Sequence, residues 1–246
     1  MSYDQNKLTT PPPYYGGGNY GGGMTVAQQT NAVMKRVYVR MFIGLLVSAF
    51  CALGVASSES VFLFFFTNKI VYWGILIAMF AMAFLLPMRM MKMSTGTVLG
   101  LFILFSALMG VWIAPIFIAY RLGTIVYTFF ITAGTFGAMS VYGYFTKTDL
   151  SRIGSFLIMA LFGLIIASIV NIFLKSSAME WVISIVGVLV FVGLTAWDTQ
   201  QVKRMAAANL DPALTDKLAT MGAMNLYLDF INLFLFLLRI LGGNRD

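Results

Sequence analysis

Two aspartates inside apolar stretches near the C-terminus are the residues of this chain best placed to do chemistry. Asp198 lies in VFVGLTAWDTQQVKR, and Asp229 lies in GAMNLYLDFINLFLFLLRIL, a stretch long enough to cross a bilayer. A carboxylate within such a span costs about 2.5–3.5 kcal/mol on insertion scales, so it needs a polar or hydrated environment. Two simpler interpretations stay open: a solvated Asp198 at headgroup level, and an Asp229 buried against an arginine or asparagine.

The spacing of the polar residues predicts one polar face on each of the two helices. Asn225, Asp229 and Asn232 are at i, i+4 and i+7, and Thr195 lies three residues before Asp198. Asp198 is near the expected cytoplasmic end of its helix, and Asp229 is about seven residues, or roughly 10 Å, from the same end of the next helix. The two acids are therefore predicted at similar depth, and they can meet if the helices touch.

Two carboxyl groups at short range point to proton and cation chemistry. Both cannot ionise cheaply, so such a pair would share a proton and respond to pH. The chain has no histidine, so no imidazole can relay protons or bind a metal. Calcium prefers oxygen ligands, and we therefore expect Asp198 and Asp229 to bind calcium transiently. We expect no cofactor. Arg89, beside Pro87, is a candidate ionic partner for either acid or an anchor of membrane orientation.

The sequence contains no recognisable catalytic motif. HExxH, GxSxG, a glycine-rich phosphate loop and CxxC are all absent. An aspartyl intramembrane protease would also carry acids on neighbouring helices, but its Tyr-Asp and Gly-x-Gly-Asp signatures are missing from the apolar runs. We therefore expect a protein that is not an enzyme.

The composition is that of an all-α membrane protein with seven transmembrane helices. Of the 246 residues, 60% are hydrophobic and only 10% are charged. The apolar runs are continuous rather than alternating, which favours helices over a barrel. They cover residues 37–56, 70–88, 94–116, 122–145, 153–174, 181–200 and 222–241. The run 61–66 is too short to span and is expected at the interface.

Two further segments have their own predictions. Residues 1–29, which contain PPPYYGGGNYGGG, are expected to form a disordered Pro/Gly/Tyr-rich cytoplasmic tail before a seven-helix domain at 30–246. Residues 24–36 are a candidate short interfacial helix leading into that domain. In the fourth span, Gly134 and Ala138, with Gly137 and Gly143 nearby, predict close helix packing.

The basic residues predict orientation rather than a nucleic-acid partner, because they lie between apolar runs and not in one patch, although the net charge is +7. Eleven of the 16 fall on one side: Lys7, Lys35, Arg36, Arg40, Arg89, Lys92, Lys147, Arg152, Lys203, Arg204 and Lys217. The other five are Lys69, Arg121, Lys175, Arg239 and Arg245. This excess predicts a cytoplasmic N-terminus and, with seven spans, a periplasmic C-terminus; if one run were re-entrant, the C-terminus would return inside.

The segments around the two aspartates resemble the Bax inhibitor-1 family, the transmembrane Bax inhibitor motif group, and in particular its bacterial inner-membrane branch. VFVGLTAWDTQQVKR and LYLDFINLFLFLLRILG carry the resemblance, and FGAMSVYGYFTKTDLS at 136–151 supports it. The similarity extends over about residues 30–243. It implies seven helices, of which six surround the last.

The resemblance also implies a function. It suggests a pH-sensitive calcium leak channel or transporter in the bacterial inner membrane, gated by Asp198 and Asp229, with Arg89 as a possible latch and a link to stress responses. The partners implied are the lipid bilayer and calcium or protons. The alternative is a non-conducting protein that binds and restrains a membrane-anchored ATP-dependent protease.

Overall fold

The computed structural model describes residues 25–208 and 211–242, and these residues form a bundle of α-helices. Seven helices are long and apolar enough to cross a membrane, which confirms the predicted all-α class and the number of spans. They are α1 (Val26–Ala56), α3 (Lys69–Arg89), α4 (Thr95–Ile113), α6 (Leu122–Phe145), α7 (Ser151–Leu174), α8 (Ser177–Ala207) and α9 (Pro212–Leu241). The short helices α2 (Glu59–Thr67) and α5 (Ile116–Ala119) lie between them.

Side-chain caps decide where the first and last helices begin. The Thr25 hydroxyl accepts the Gln28 N–H, and the Gln28 side chain accepts the Thr25 N–H, so a capping box starts α1. Asp211 accepts the N–H groups of Ala213 and Leu214 at the start of α9. Proline follows the Asp211 cap at the first helical position, where it needs no N–H partner.

The helices extend beyond the apolar runs that identified them. The candidate interfacial helix at 24–36 and the run 37–56 form one continuous helix, α1, so residues 26–29 are helical rather than part of a tail. α9 begins ten residues before the predicted start at 222. Hydropathy marks the segment within the lipid, whereas backbone hydrogen bonds and caps continue the helix outside it. The tail prediction for residues 1–24 lies outside the described residues.

α9 is the most buried of the long helices. Half of its membrane-spanning window is buried, against 11% for α3 and for α7. Its main contacts are with α8, α1, α6 and α4, whereas α3 packs chiefly on α4 and α7 on α8. The last helix is thus central to the packing, but the expected arrangement of six helices around it is not confirmed.

A glycine brings α6 and α8 into backbone contact. A Cβ atom placed on Gly143 would lie 2.9 Å from the Cα and carbonyl carbon of Ala196. Gly134 and Ala138 are exposed, so the prediction that these two residues mediate close helix packing is wrong. Gly143 performs that role instead, and Ala196, which it contacts, lies two residues before Asp198 on α8.

A serine joins three helices in the middle of the bundle. The Ser48 hydroxyl of α1 lies 2.6 Å from the Tyr227 hydroxyl of α9 and 2.7 Å from the Ser106 carbonyl oxygen of α4. All three residues are buried. Because a hydroxyl has one donor and can accept as well, Ser48 can donate to the carbonyl and accept from the tyrosine. These bonds fix the position of α9 against α1 and α4.

The helix ends fall on two sides of the bundle. We call one the basic side, because it carries most of the positive charge. It contains the starts of α1, α4, α7 and α9 and the ends of α3, α6 and α8. This sidedness follows from seven successive crossings.

Candidate functional site

The structure brings the two sequence-predicted acids together at the contact between α8 and α9. Asp198 is 9% exposed and Asp229 is 4% exposed. Their carboxyl groups are within hydrogen-bonding reach of one another. Sequential helices of opposite direction place residues at equal depth side by side, which is why two acids about 30 residues apart can meet.

The acid pair has no fixed counter-charge at its own depth. Within the described residues, no backbone N–H or side-chain donor forms a hydrogen bond with the buried Asp229 Oδ2 atom. α4 and α6 carry no charged residue. No basic side chain in the described part of the chain is among the groups that act on either carboxyl group. Arg40, in the middle of α1, is paired with Asp216. The charged side chains on α1, α7, α8 and α9 other than the pair are Lys35, Arg36, Arg40, Arg152, Glu180, Lys203, Arg204, Asp216, Lys217 and Arg239. The contact between the two carboxyl groups is therefore favourable when a proton bridges them.

The pair is not a complete calcium site. In the part of the chain that the structure describes, no group of three or more Asp, Glu, Cys or His side chains gathers to hold a metal ion. A resident calcium ion takes six to eight oxygen ligands, so two carboxyl groups alone suit brief occupancy. Neither carboxyl group lines the two cavities between α1 and α6.

The predicted polar stripe around Asp229 is interrupted. Asn225 is exposed, and Asn232 is half-buried and donates its side-chain N–H to the Leu228 carbonyl of its own helix, at 2.8 Å. Thr195 is fully buried, but its hydroxyl likewise donates to a carbonyl of its own helix. Asn232 and Thr195 therefore form hydrogen bonds within their own helices, and Asn225 is exposed. None of the three forms a continuous polar surface with the acid pair.

Arg89 does not contact the acid pair. It is exposed at the end of α3, and the four ion pairs found among the described residues do not include it. α3 packs chiefly on α4, away from the α8–α9 contact. A latch formed by Arg89 would thus require another position of α3.

Sequence reasoning missed an ionic cluster at the basic side. The Arg40 guanidinium lies 2.6 Å from the Asp216 carboxylate and donates to the Asp216 carbonyl and the Thr220 hydroxyl, at 2.7 and 2.8 Å. Arg36 adds a longer contact of 3.3 Å to the same carboxylate. The signal was present, because Arg40 stands within an apolar run between Val39 and Met41. A charged side chain within an apolar run requires an ionic or hydrogen-bonding partner, and it is not only an indicator of membrane orientation.

A glutamine on α8 binds the connection between α6 and α7. The Gln200 side chain accepts the Leu150 N–H at 2.9 Å and donates to the Thr148 carbonyl at 2.8 Å. In the same connection, hydrogen bonds from the Ser151 N–H and from Arg204 hold the pKa of Asp149 well below its usual range. These contacts attach the connection to the end of α8, at Gln200 and Arg204, two and six residues beyond Asp198.

Seven apolar helices, two of which bring a pair of carboxyl groups together in the interior, define a polytopic α-helical membrane protein with buried ionisable groups. The chain belongs to the Bax inhibitor-1 family, since the sequence model described as "Inhibitor of apoptosis-promoting Bax1" matches residues 30–246.

Similar proteins are found in several bacteria. The inner membrane protein YbhL of Escherichia coli is 48% identical over 214 residues, which is 86% of this chain and 92% of YbhL. An uncharacterized protein of Borreliella burgdorferi is 44% identical over 88% of this chain and 94% of its own length. The uncharacterized protein YrjE of Lactococcus lactis is 40% identical over 88% of this chain and 94% of its own length.

Proposed function

We propose that this protein is a pH-sensitive cation leak pathway of the bacterial inner membrane, with calcium as the favoured ion and the Asp198–Asp229 pair as its gate. The observation that carries the proposal is the contact between two buried carboxyl groups without a counter-charge at their depth. An intramembrane acid is costly and is typical of ion or proton pathways. The name of the E. coli relative supports the inner-membrane location.

Protons and cations compete for the same carboxylate oxygens in this mechanism. With one proton between them, the two acids hold α8 and α9 together through a hydrogen bond. Loss of that proton leaves two negative charges in contact, which repel each other and attract a cation. Both the opening of the helix contact and the occupancy by calcium then depend on pH. The mechanism involves no catalytic step and no cofactor.

Calcium flux into vesicles that contain only the purified protein tests the proposal, measured between about pH 5 and 8, where a shared carboxyl proton is expected to titrate. Asp229→Asn and Asp198→Asn should each remove most of the pH dependence. The double variant should lose less than the sum of the two, because the residues act as a unit. Asp149→Asn is the matched control, since the lowered pKa of Asp149 keeps its charge constant over this range.

The outcomes separate the gate from conduction itself. Unchanged pH dependence in both single variants, with folding intact, would exclude the pair as the gate. Absence of flux in the unmodified protein would exclude the leak and favour the non-conducting protein that restrains a membrane protease. Arg89→Ala distinguishes a latch, which would raise flux at neutral pH when removed, from an orientation anchor, which would leave flux unchanged.

A further inference from the structure

A lateral groove opens between α1 and α6. Both helices pack on α9 but hardly on each other, and the gap between them is a cavity of about 990 Å³. A second cavity of about 360 Å³ continues it away from the basic side and shares Leu45, Phe129 and Phe230 with the first. From Tyr144 to Leu122 along α6, this α1–α6 groove is about 33 Å long at 1.5 Å per residue. It therefore matches the hydrocarbon thickness of a bilayer.

The floor of the α1–α6 groove is the central helix. Phe230 of α9 lines both cavities although it is only 4% exposed. Its ring packs edge-on against Phe129 and Phe136, with centroid distances of 5.6 and 5.5 Å. A molecule in the groove would thus reach one layer deeper than lipid on the outer surface of the bundle.

The mouth of the groove at the basic side is polar and positively charged. The Tyr144 hydroxyl of α6 donates to the Asn31 side chain of α1 at 2.6 Å. The Lys203 ammonium donates to the Tyr144 carbonyl at 2.6 Å and lies 4.6 Å from the Tyr144 ring centroid. Lys35 is exposed on the same face of α1 as Asn31 and Tyr38. The acid in the nearby connection, at position 149, is already paired with an arginine.

We propose that the α1–α6 groove binds an anionic phospholipid, with an acyl chain in the apolar groove and the phosphate at Lys35 and Lys203. Basic pockets between helices at the cytoplasmic surface are suited to anionic headgroups. The length of the groove matches the bilayer, and the positive charge at its mouth complements a phosphate. Length and charge thus both favour a lipid.

The proposed lipid would lie next to the acid pair. Phe230, in the floor, follows Asp229 in α9. Ser140, in the wall, lies 3.5 Å from the Thr199 hydroxyl, and Thr199 follows Asp198 in α8. The inference does not rest on the proposed function, because lipid binding can be measured without ion flux.

Native mass spectrometry of the purified full-length protein tests the groove, with phosphatidylglycerol and phosphatidylcholine as the added lipids. Gly137 lines the groove, and a Cβ there would meet no atom within 4 Å, so Gly137→Leu should fill the groove without a clash. We expect at least a tenfold loss of phosphatidylglycerol affinity. Gly134→Leu is the matched control on the same helix, because Gly134 is equally open but does not line the groove. It should change the affinity less than twofold.

A second pair of variants tests the headgroup and does not alter the packing. Lys35→Gln should weaken phosphatidylglycerol about fivefold, the factor that corresponds to about 1 kcal/mol for one lysine near an anionic surface, and should leave phosphatidylcholine unchanged. Lys92→Gln, at an exposed lysine on the same side, is the control. Equal losses for Lys35→Gln and Lys92→Gln would show diffuse charge attraction and overturn the site.

Two further results would also overturn it. The first is equal affinity of the unmodified protein for the two lipids. The second is the finding that the unmodified protein forms a dimer, and that the folded Gly137→Leu variant loses this dimer but binds lipid with unchanged affinity. That result would assign the groove to a contact between copies of the chain.

Discussion

Replacing Gly143 with alanine tests the contact that positions α6 against α8 beside the acid pair. A Cβ at this position would lie 2.9 Å from the Cα and carbonyl carbon of Ala196, whereas ordinary contact begins at 3.4 Å. Because the opposing atoms belong to the backbone, no side chain can rotate away, and the helices must separate by at least about half an ångström. Overpacking of this kind costs about 1–3 kcal/mol.

Gly134→Ala is the matched control, since it makes the same change on the same helix where a Cβ meets open space. Helix preference favours alanine over glycine there by up to about 1 kcal/mol. Because this preference acts in both variants, it cancels in the comparison, and the free energy of unfolding of Gly143→Ala should be about 1–3 kcal/mol below that of Gly134→Ala. Equilibrium unfolding of the purified protein in mixed micelles measures the difference. Equal free energies would refute the backbone contact between α6 and α8.

Three further changes have defined outcomes in the same unfolding assay. Tyr227→Phe should cost about 1 kcal/mol, because it removes a buried hydroxyl bonded to Ser48, and an unchanged free energy would show that this bond adds nothing. Asp216→Asn removes the charge facing Arg40 and should cost about 1–3 kcal/mol, whereas no loss would mean that the remaining hydrogen bonds suffice. The pKa of Asp149 is lowered on folding, so its contribution is fully present above about pH 3.9 and is lost as pH falls toward the folded value. Asp149→Asn should thus reduce stability at pH 7 and flatten its decline below about pH 4, and a parallel curve would contradict the assignment.

The apolar runs predicted the helices well because the bilayer requires long uninterrupted apolar segments. The meeting of Asp198 and Asp229 followed from the same constraint, since consecutive spans of known direction set the depth of each residue. The partner of Arg40 could not be predicted in this way, because Asp216 is 176 residues away in the chain. Hydropathy also failed to reveal the α1–α6 groove, since a side chain such as Phe129 is equally apolar whether it faces lipid or a neighbouring helix.

The two hydrogen bonds between Gln200 and the connection from α6 to α7 affect hydrogen exchange and the choice of insertion sites in this segment. A glutamine side chain has a carbonyl acceptor and an N–H donor, as a peptide group does. Gln200 therefore pairs with backbone groups of the connection that would otherwise be paired within a helix or sheet. The amide of Leu150 should therefore exchange with deuterium slowly, like a helix amide, although it precedes a helix. An epitope tag inserted between Thr148 and Leu150 would break both bonds at once. This short segment is consequently a poor insertion point, even though Thr148 and Asp149 are exposed.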